Sequence, residues 1–393
     1  MVIPLILLVR ILRPIILIRF GRICAFVIGH FVFDTEYYLT EKKIEKIKSL
    51  DLFYFDYKYK NLKNNPLNTQ WHKMISRHLL VHPFISYLDI ANKMIPGNRT
   101  HRIVMPIEKK ISFGRDVKGL LSLSDPVIRF TKDENNQGKL HLESIGLNQD
   151  DKFVCLIVRD SAYKEKYCNW KDDWSYHDYR NSDIDTYEDA ALALAEKGYW
   201  VLRMGKVVNK PFKVKHTRVF DYANSEYRSD FLDIWLSTNC SFSLMTNTGI
   251  GDLVCVFRRP VAFVNALPLG YINTSSNSNS IWLPKKIVWK DNKKQLTLKE
   301  QIETGVIGFL GSEYYKNASV ELIDNTPGEI TEIILELEEK ITGKWQPHPQ
   351  DDELQNKFWE ILQTWEHFPK LHGELQSRIP DFWIRQNHKW FLA

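Results

Sequence analysis

The sequence predicts an α/β protein of two domains, the second of them built on a Rossmann-like parallel sheet. The chain has 393 residues, of which 44% are hydrophobic, enough for two domains of ordinary size. After Asp150, short and fully apolar runs alternate with longer segments of helical character. Strands that are apolar throughout are typical of a parallel sheet covered on both faces.

The first 30 residues are apolar and basic, which leaves two interpretations open. The charged residues before Asp34 are all arginines: Arg10, Arg13, Arg19 and Arg22. The longest uncharged stretch, residues 1–9, is short of the roughly 20 residues that span a membrane, so we expect no spanning helix. Either residues 1–22 contact anionic headgroups from the side of the membrane, or they form a buried strand and helix.

The first domain is expected over residues 1–120. An apolar run at 23–28 that ends at Gly29-His30 predicts a strand and a tight loop, and Asp34 is placed to start a helix. The further expected elements are a helix at 31–39, a strand at 52–55, a helix at 69–80, and strands at 83–87 and 102–105. Residues 121–150 are expected to link the domains, with a turn at Asn135-Asn136-Gln137-Gly138.

The second domain is expected over residues 151–343. Its predicted strands are residues 153–158, 199–204, 218–220, 240–244 and 261–264. Thr186 and Ser229 are placed to cap helices at 186–197 and 230–236, and Gly198 to end the first of these. Further helices are predicted at 250–257 and 331–341. Residues 344–393 predict a helical tail, whose tryptophans we expect to be buried across the junction of the domains.

Composition excludes several classes of protein. A balance of 53 basic and 48 acidic residues does not point to nucleic acid. The five cysteines, Cys24, Cys155, Cys168, Cys240 and Cys255, are odd in number and lack CxxC spacing, which indicates a reducing, cytoplasmic compartment with no disulfides and no zinc site. The sequence has no Walker loop, HExxH, GxSxG or full GxGxxG motif, so we expect no resident cofactor.

Candidate binding residues follow the predicted strands of the second domain, because ligands of open parallel sheets bind beyond the carboxyl ends of the strands. They are Arg159, Asp160, Ser161 and Tyr163 after the first strand, Arg203, Gly205 and Lys206 after the second, and Thr248 and Gly249 after the fourth. Cations, hydroxyls and a helix start suit a phosphate or ribose. The alternatives are a structural pair of Arg159 with Asp160 or Asp183, a solvated basic turn, and small residues that only cap a helix.

The polar loop at 169–187 is long enough for a lid or a substrate wall, and includes Arg180, Asn181 and Asp183. Asp183-Ile184-Asp185 has a spacing that holds a divalent cation in some nucleotide sites, although acids before a helix also act as caps. In the first domain, His30 and Asp34 follow a predicted strand and are candidates for a general base, the alternative for His30 being a buried core histidine.

Several of these segments occur together in a known pattern. Residues 153–163, 179–184, 198 and 203–205, followed by 229–234, 248–249, 260–265, 325–327 and 390–392, resemble a family of bacterial glycosyltransferases encoded among surface polysaccharide genes. The resemblance implies a GT-B architecture, in which two Rossmann-like domains face a cleft, with nucleotide sugar in the second and acceptor in the first. Arg159 is similar to an arginine of fucosyltransferases that meets the donor diphosphate. Ile157 stands where those enzymes often carry histidine, so donor identity is not carried over.

The predicted function is therefore a metal-independent glycosyltransferase of surface polysaccharide synthesis, such as that of lipopolysaccharide. It is expected to move sugar from a nucleotide sugar to a glycan or polyprenol-linked acceptor at the cytoplasmic face of the membrane. Arg159, Arg203 and Lys206 would neutralise the leaving diphosphate together with amides near Thr248 and Gly249. Arg180 and Asp183 would orient the donor sugar, and His30 or Asp34 would act on the acceptor hydroxyl.

Three alternatives remain open at this point. The first is a metal-dependent transferase that uses Asp183 and Asp185. The second is a nucleotide-sugar epimerase or hydrolase of the same fold, which would consume donor without an acceptor. The third is a noncatalytic glycan-binding protein, for which the tryptophan-rich tail would form an exposed sugar platform.

Overall fold

The structure is a computed structural model that describes residues 2–57, 67–108, 115–167, 175–272, 280–374 and 377–393. Cys168 and residues 169–174 of the predicted loop at 169–187 lie outside the described residues. Within the described ranges, no helix has both the length and the apolar character needed to cross a bilayer.

The first unit contains a three-stranded parallel sheet in the order β1-β2-β3. Its strands are β1 (Ile18–Cys24), β2 (Leu50–Asp56) and β3 (Leu80–Val81). Its helices are α1 (Ile3–Ile11), α2 (Ile28–Ile44), α3 (Thr69–Ile75) and α4 (Ile85–Lys93). Alternate strand residues face opposite sides, so Phe53 packs with α2 and α3, whereas Leu52 and Tyr54 pack with α1 and α4.

The second unit contains a six-stranded, fully parallel sheet in the order β6-β5-β4-β7-β8-β9. Its strands are β4 (Phe153–Ile157), β5 (Trp200–Arg203), β6 (Val219–Phe220), β7 (Phe242–Met245), β8 (Val261–Ala266) and β9 (Ser280–Pro284). In chain order this is the Rossmann order 3-2-1-4-5-6, with its switch point between β4 and β7. The predicted Rossmann-like second sheet is thereby confirmed.

Helices on both faces complete the second unit. They include α5 (Lys132–Ser144), α6 (Ala162–Tyr167), α7 (Glu188–Glu196), α8 (Asp230–Asn239), α9 (Gly251–Val256), α10 (Leu298–Glu303), α11 (Ser312–Asn317) and α12 (Pro327–Thr342). A separate antiparallel pair is formed by β10 (Lys286–Trp289) and β11 (Val320–Ile323). Ser229 caps α8 by accepting a hydrogen bond from the amide of Leu232, as the sequence predicts.

The tail is helical and buries its aromatic side chains. It consists of α13 (Asp351–Gln363), α14 (Phe368–Leu371) and α15 (Asp381–Phe391). Trp359, Trp365 and Trp383 are buried against the core of the second unit. The tail also reaches the segment that joins the units, because Arg115 donates a hydrogen bond to the carbonyl oxygen of Leu371 at 2.8 Å.

Three predictions in the first unit are corrected by the structure. The first strand begins at Ile18 rather than at residue 23, because Arg19 and Arg22 pair with acids of β2 and so lie within a strand despite their charge. Residues 83–87 are not a strand, since Pro83 precedes helix α4 and its carbonyl accepts a hydrogen bond from Ser86. The strand at 102–105 reduces to one bridge between Arg102 and Phe20.

Two predictions around the second sheet are also corrected. The turn at residues 135–138 lies inside α5, which starts with a capping box of Thr131 and Glu134. Gly138 occurs there because a Cβ atom would collide with the indole of Trp235 in α8. Helix α7 begins at Glu188 rather than at Thr186, because a short 3-10 turn capped by Asp183 comes first.

Candidate functional site

The two units contact each other where β1 and β7 end. Helix α2 follows β1 and α9 follows β7, and a Cβ atom on Gly249 would lie 3.0 Å from the backbone nitrogen of Gly29. A Cβ atom on Gly29 would collide with the carboxylate of Asp252. Two glycine-containing segments that the sequence singles out thus meet across the junction, which we call the interunit cleft.

Three ionisable side chains gather at this cleft. Nδ1 of His30 lies 3.6 Å from Oδ1 of Asp34, whose side chain is fully buried and accepts a hydrogen bond from the amide of Ile107 at 3.2 Å. Both residues lie within α2, so Asp34 does not start that helix as the sequence predicts. Asp252 approaches from the second unit, and the sequence indicates it only as part of a helix start.

Burial shifts the pKa values of these three side chains. It raises the pKa of Asp252 to about 7, while the charge of His30 acts in the opposite direction. Burial also raises the pKa of Asp34. Burial alone would lower the pKa of His30, but its interaction with Asp34 and the charge of Asp252 raise it. The cluster therefore places a histidine beside two carboxyl groups whose pKa values are raised, an arrangement suited to acid-base chemistry.

Two arginines lie beside each other at the end of β4. The backbone amide of Arg159 donates to Oγ1 of Thr246 at 2.8 Å, and its carbonyl accepts from the amide of Ser182 at 3.0 Å. Among the residues the structure describes, no carboxylate lies within 4.0 Å of the guanidinium of Arg159 or of Arg180, and Nε of each is buried without a partner. The predicted alternative, a structural pair of Arg159 with Asp160 or Asp183, is therefore wrong.

The electrostatics of this pair favour an anion. Burial, followed by the charge of Arg180, lowers the pKa of Arg159 to about 10. The guanidinium of Arg180 lies 2.8 Å from Nδ1 of His177, and burial together with the neighbouring cations lowers the pKa of His177 to about 2. His177 is thus neutral and adds no charge. Two guanidiniums in mutual repulsion are stabilised by any anion that lies between them.

A cavity of about 460 Å³ lies beyond the ends of β4 and β5. Its lining includes Asp160, Ser161, Asn181, Asp183 and Arg203. The guanidinium of Arg203 is only 1% exposed and lies 3.5 Å from Asp221 and 3.9 Å from Asp160. The charge of Arg203 is therefore partly balanced by protein carboxylates, and its part in diphosphate binding stays a prediction.

Several other predicted residues hold loops together. Asp160 accepts hydrogen bonds from the amides of Ala162 and Asn209 at 3.0 and 2.9 Å, and Ser161 accepts one from the side chain of Asn209 at 3.2 Å. Tyr163 lies in α6, and Gly205 packs closely against Val208.

Lys206 contacts the first unit rather than the cavity. Its ammonium lies 3.2 Å from Asp230 and 3.1 Å from the carbonyl oxygen of Leu67. The contacts of Lys206 thus join the units, and its part in neutralising the diphosphate stays a prediction.

The predicted anion site at Thr248 and Gly249 stays a prediction, and it lies where the two units meet. Helix α9 has only six residues, and its first amides, at Gly251 and Asp252, donate to the carbonyl oxygens of Thr248 and Gly249. Gly29 covers the turn from the first unit. These amides are consequently not directed at an open pocket.

The Asp183-Ile184-Asp185 motif holds a lysine. Nζ of Lys210 lies 2.5 Å from Asp183 and 2.6 Å from Asp185. Within the described part of the chain, no group of three or more His, Cys, Asp or Glu residues is arranged to hold a metal ion.

Comparisons with known proteins give distant structural likenesses. No protein-family model matches the chain, and no curated protein matches it in sequence. The ADP-heptose lipopolysaccharide heptosyltransferase II of E. coli is 11% identical with a TM-score of 0.43, covering 83% of this chain and 100% of its own. A glycosyl transferase family 9 protein of Veillonella parvula is 11% identical with a TM-score of 0.45, covering 81% and 96%. The iron-containing dodecameric glycosyltransferase TibC of E. coli is 10% identical with a TM-score of 0.31, covering 63% and 57%.

Proposed function

We propose that the chain is a glycosyltransferase that moves sugar from a nucleotide-sugar donor to an acceptor hydroxyl. The observation that carries the proposal is the pair Arg159 and Arg180 at the switch point of the second sheet, two guanidiniums without a carboxylate partner among the described residues. A diphosphate has the charge and the planar oxygen groups that such a pair binds. The switch point is where open α/β sheets bind nucleotides.

The reaction follows from the positions of these groups. The acceptor oxygen forms a bond to the anomeric carbon, while the bond from that carbon to the donor phosphate breaks and leaves its electron pair on the diphosphate. Arg159 and Arg180 stabilise this developing charge. The hydroxyl proton passes to the pair of His30 and Asp34 in the first unit, which lies across the interunit cleft. Asn181 and Asp183 would then contact the remainder of the donor in the cavity.

The proposal includes metal independence, a lipid-linked or glycan acceptor, and contact of residues 1–22 with the cytoplasmic face of a membrane. Lys210 supports the first point, because its ammonium already lies between the two carboxylates that a metal ion would need. Turnover that stops on addition of EDTA would instead favour the metal-dependent alternative. Donor consumption in the absence of acceptor would favour an epimerase or hydrolase.

The noncatalytic alternative is less well supported. It needs exposed aromatic rings as a sugar platform, but Trp359, Trp365 and Trp383 are buried in the second unit. These three tryptophans therefore cannot form such a platform.

The central test is calorimetric titration of nucleoside diphosphates and of ADP-heptose, the donor named for one of the similar structures. Arg159→Ala and Arg180→Ala should each weaken binding about tenfold or more, because each removes charged hydrogen bonds to phosphate. Arg129→Ala is the matched control, since Arg129 is an exposed arginine paired with Asp125. Unchanged affinity in both site variants would refute the assigned donor site.

A further inference from the structure

Exposed apolar side chains are concentrated on one side of the first unit. Of the twenty large hydrophobic side chains that are exposed in the described chain, eleven lie in residues 3–16 and 84–94. They include Ile11 and Met94, each 72% exposed, and Ile15, which is 85% exposed. Single exposed apolar residues are ordinary, but such a concentration marks a surface that contacts another apolar phase.

The two segments form one preformed layer. Ile6 of α1 is fully buried and packs in one cluster with Ile85, Leu88 and Ala91 of α4. Arg10 fastens the two helices, since its guanidinium donates to Oδ1 of Asn92 at 2.9 Å and to the carbonyl oxygen of Ile95 at 3.2 Å. Both helices cover the face of the first sheet opposite to α2. Their outer sides consequently point away from the interunit cleft.

The charge around this layer is positive. Residues 2–16 and 83–99 contain a single acid, Asp89. Its side chain is buried and lies 2.6 Å from Nζ of Lys93 and 2.9 Å from the hydroxyl of Tyr54. Arg13 and Arg99 are exposed and have no carboxylate within 4.0 Å among the described residues. The layer thus combines apolar side chains with unbalanced cations.

We propose that α1 and α4 together form a docking surface for a membrane that contains anionic lipid. The apolar side chains would enter the region between headgroups and acyl chains, and Arg13 and Arg99 would contact lipid phosphates. A second copy of the chain is a poorer occupant, because a symmetric contact would bring the same cations together. The inference extends the proposed function, whose acceptor is placed at a membrane, by adding α4 to the predicted contact of residues 1–22.

The experiment is cosedimentation of the full chain with phosphatidylcholine vesicles, prepared with and without phosphatidylglycerol. We expect binding to the anionic vesicles, weakened by salt, and much less binding to the neutral ones. Ile90→Glu/Met94→Glu should reduce binding about tenfold or more, because two apolar contacts are lost and two negative charges are added. Arg13→Glu/Arg99→Glu should reduce the binding and its dependence on salt.

Leu140→Glu is the matched control for the apolar variant, because Leu140 is a similarly exposed helical residue in α5. It should bind vesicles as the wild-type chain does. The proposal is overturned if the wild-type chain does not bind anionic vesicles, or if Ile90→Glu/Met94→Glu binds them equally well. It is also overturned if that variant only converts a dimer to a monomer in analytical ultracentrifugation.

Failure of this proposal is distinguishable from failure of the proposed function. Ile90→Glu/Met94→Glu should keep the wild-type affinity for nucleoside diphosphate, whereas Arg159→Ala should keep the wild-type binding to vesicles. Either proposal can therefore be refuted while the other stands.

Discussion

Asp252 makes stability depend on pH through a single carboxyl group. Its pKa is raised from 3.8 to about 7, so the folded chain binds this proton more tightly than the unfolded chain does. The resulting stabilisation is present below the unfolded pKa and is lost as the pH rises through about 7. We predict that Asp252→Asn flattens this part of the profile, whereas the wild-type chain loses stability between about pH 4 and about pH 7.

Urea denaturation at several pH values measures this effect. Other buried carboxyls titrate in both proteins, so the difference between wild type and variant isolates Asp252. Asp150→Asn, a change at an exposed loop position, should keep the wild-type profile. A variant Asp252→Asn with an unaltered profile would contradict the prediction.

Loss of charge should lower the stability of the chain much more at Arg203 than at Arg159. Arg203→Met leaves two carboxylates without their partner and should lower the free energy of unfolding by about 3–5 kcal/mol. Arg159→Met removes a guanidinium that has no carboxylate partner in the described chain, and should change that free energy by less than about 1 kcal/mol in the absence of ligand. Denaturant unfolding compares them, and equal losses would contradict the distinction between a structural and a ligand-binding arginine.

At the scale of elements, Gly138 decides how closely α5 lies against α8. Alanine at this position would improve helix propensity by about 1 kcal/mol but would place its Cβ atom inside the indole of Trp235. We predict a net destabilisation of about 1–3 kcal/mol, measured by denaturant unfolding. Gly328→Ala is the control, because Gly328 lies in α12 and its Cβ atom would make only an ordinary contact with Oγ1 of Thr326, at 3.9 Å. A more stable Gly138→Ala variant would show that the helices separate at no cost.

The sequence predicts those elements whose local pattern is sufficient, and misses those that depend on distant partners. Strands β4, β5, β7 and β8 are buried on both faces, so their apolar runs identify them to within about two residues. Strand β1 carries Arg19 and Arg22, whose partners come from β2 and are invisible in the local pattern. Gly138 and the three residues before it have the composition of a turn. Glycine is needed there because Trp235, almost a hundred positions later, packs against it.

At the scale of the whole molecule, buried polar contacts fix the two units against each other. Glu36 of α2 is fully buried and lies 3.2 Å from Arg258 of the second unit, which also donates to the carbonyl oxygen of Leu121 at 2.8 Å. Asn68 donates to the carbonyl oxygen of Asp230 at 2.8 Å. Such contacts fix the geometry of the interunit cleft, but no local sequence pattern predicts which residues form them.

This limits which parts of the candidate site the sequence predicts. It identifies Arg159, His30 and Asp34, because each follows a predicted strand. It identifies Arg180 as part of the polar loop at 169–187. It does not separate Arg159 from Arg203, because the pairing of Arg203 depends on Asp221. It also gives Asp252 no role, because the partners of Asp252 belong to the other unit.

The contact of Gly29 with Gly249 across the interunit cleft provides the last prediction, Gly29→Val. The new side chain would meet the carboxylate of Asp252, which can rotate away, and the Cα atom of Gly249, 3.1 Å from the position of the Cβ atom, which cannot. The units should therefore separate at the cleft. Transfer should fall about 100-fold, because acceptor and donor groups lose alignment, while the affinity for nucleoside diphosphate stays within about twofold.

Small-angle scattering and calorimetry test the two parts of this prediction separately. The radius of gyration should rise in Gly29→Val and not in Gly328→Val, where the Cβ atom lies 3.9 Å from Oγ1 of Thr326 and no atom is closer. Asp252→Ala should not rescue transfer in Gly29→Val, because the backbone of Gly249 remains in the way. A Gly29→Val variant with wild-type dimensions and wild-type transfer would mean that the cleft does not align the two substrates. Loss of nucleotide affinity in the same variant would instead mean that the donor site needs the first unit, since Arg159 and Arg180 both belong to the second.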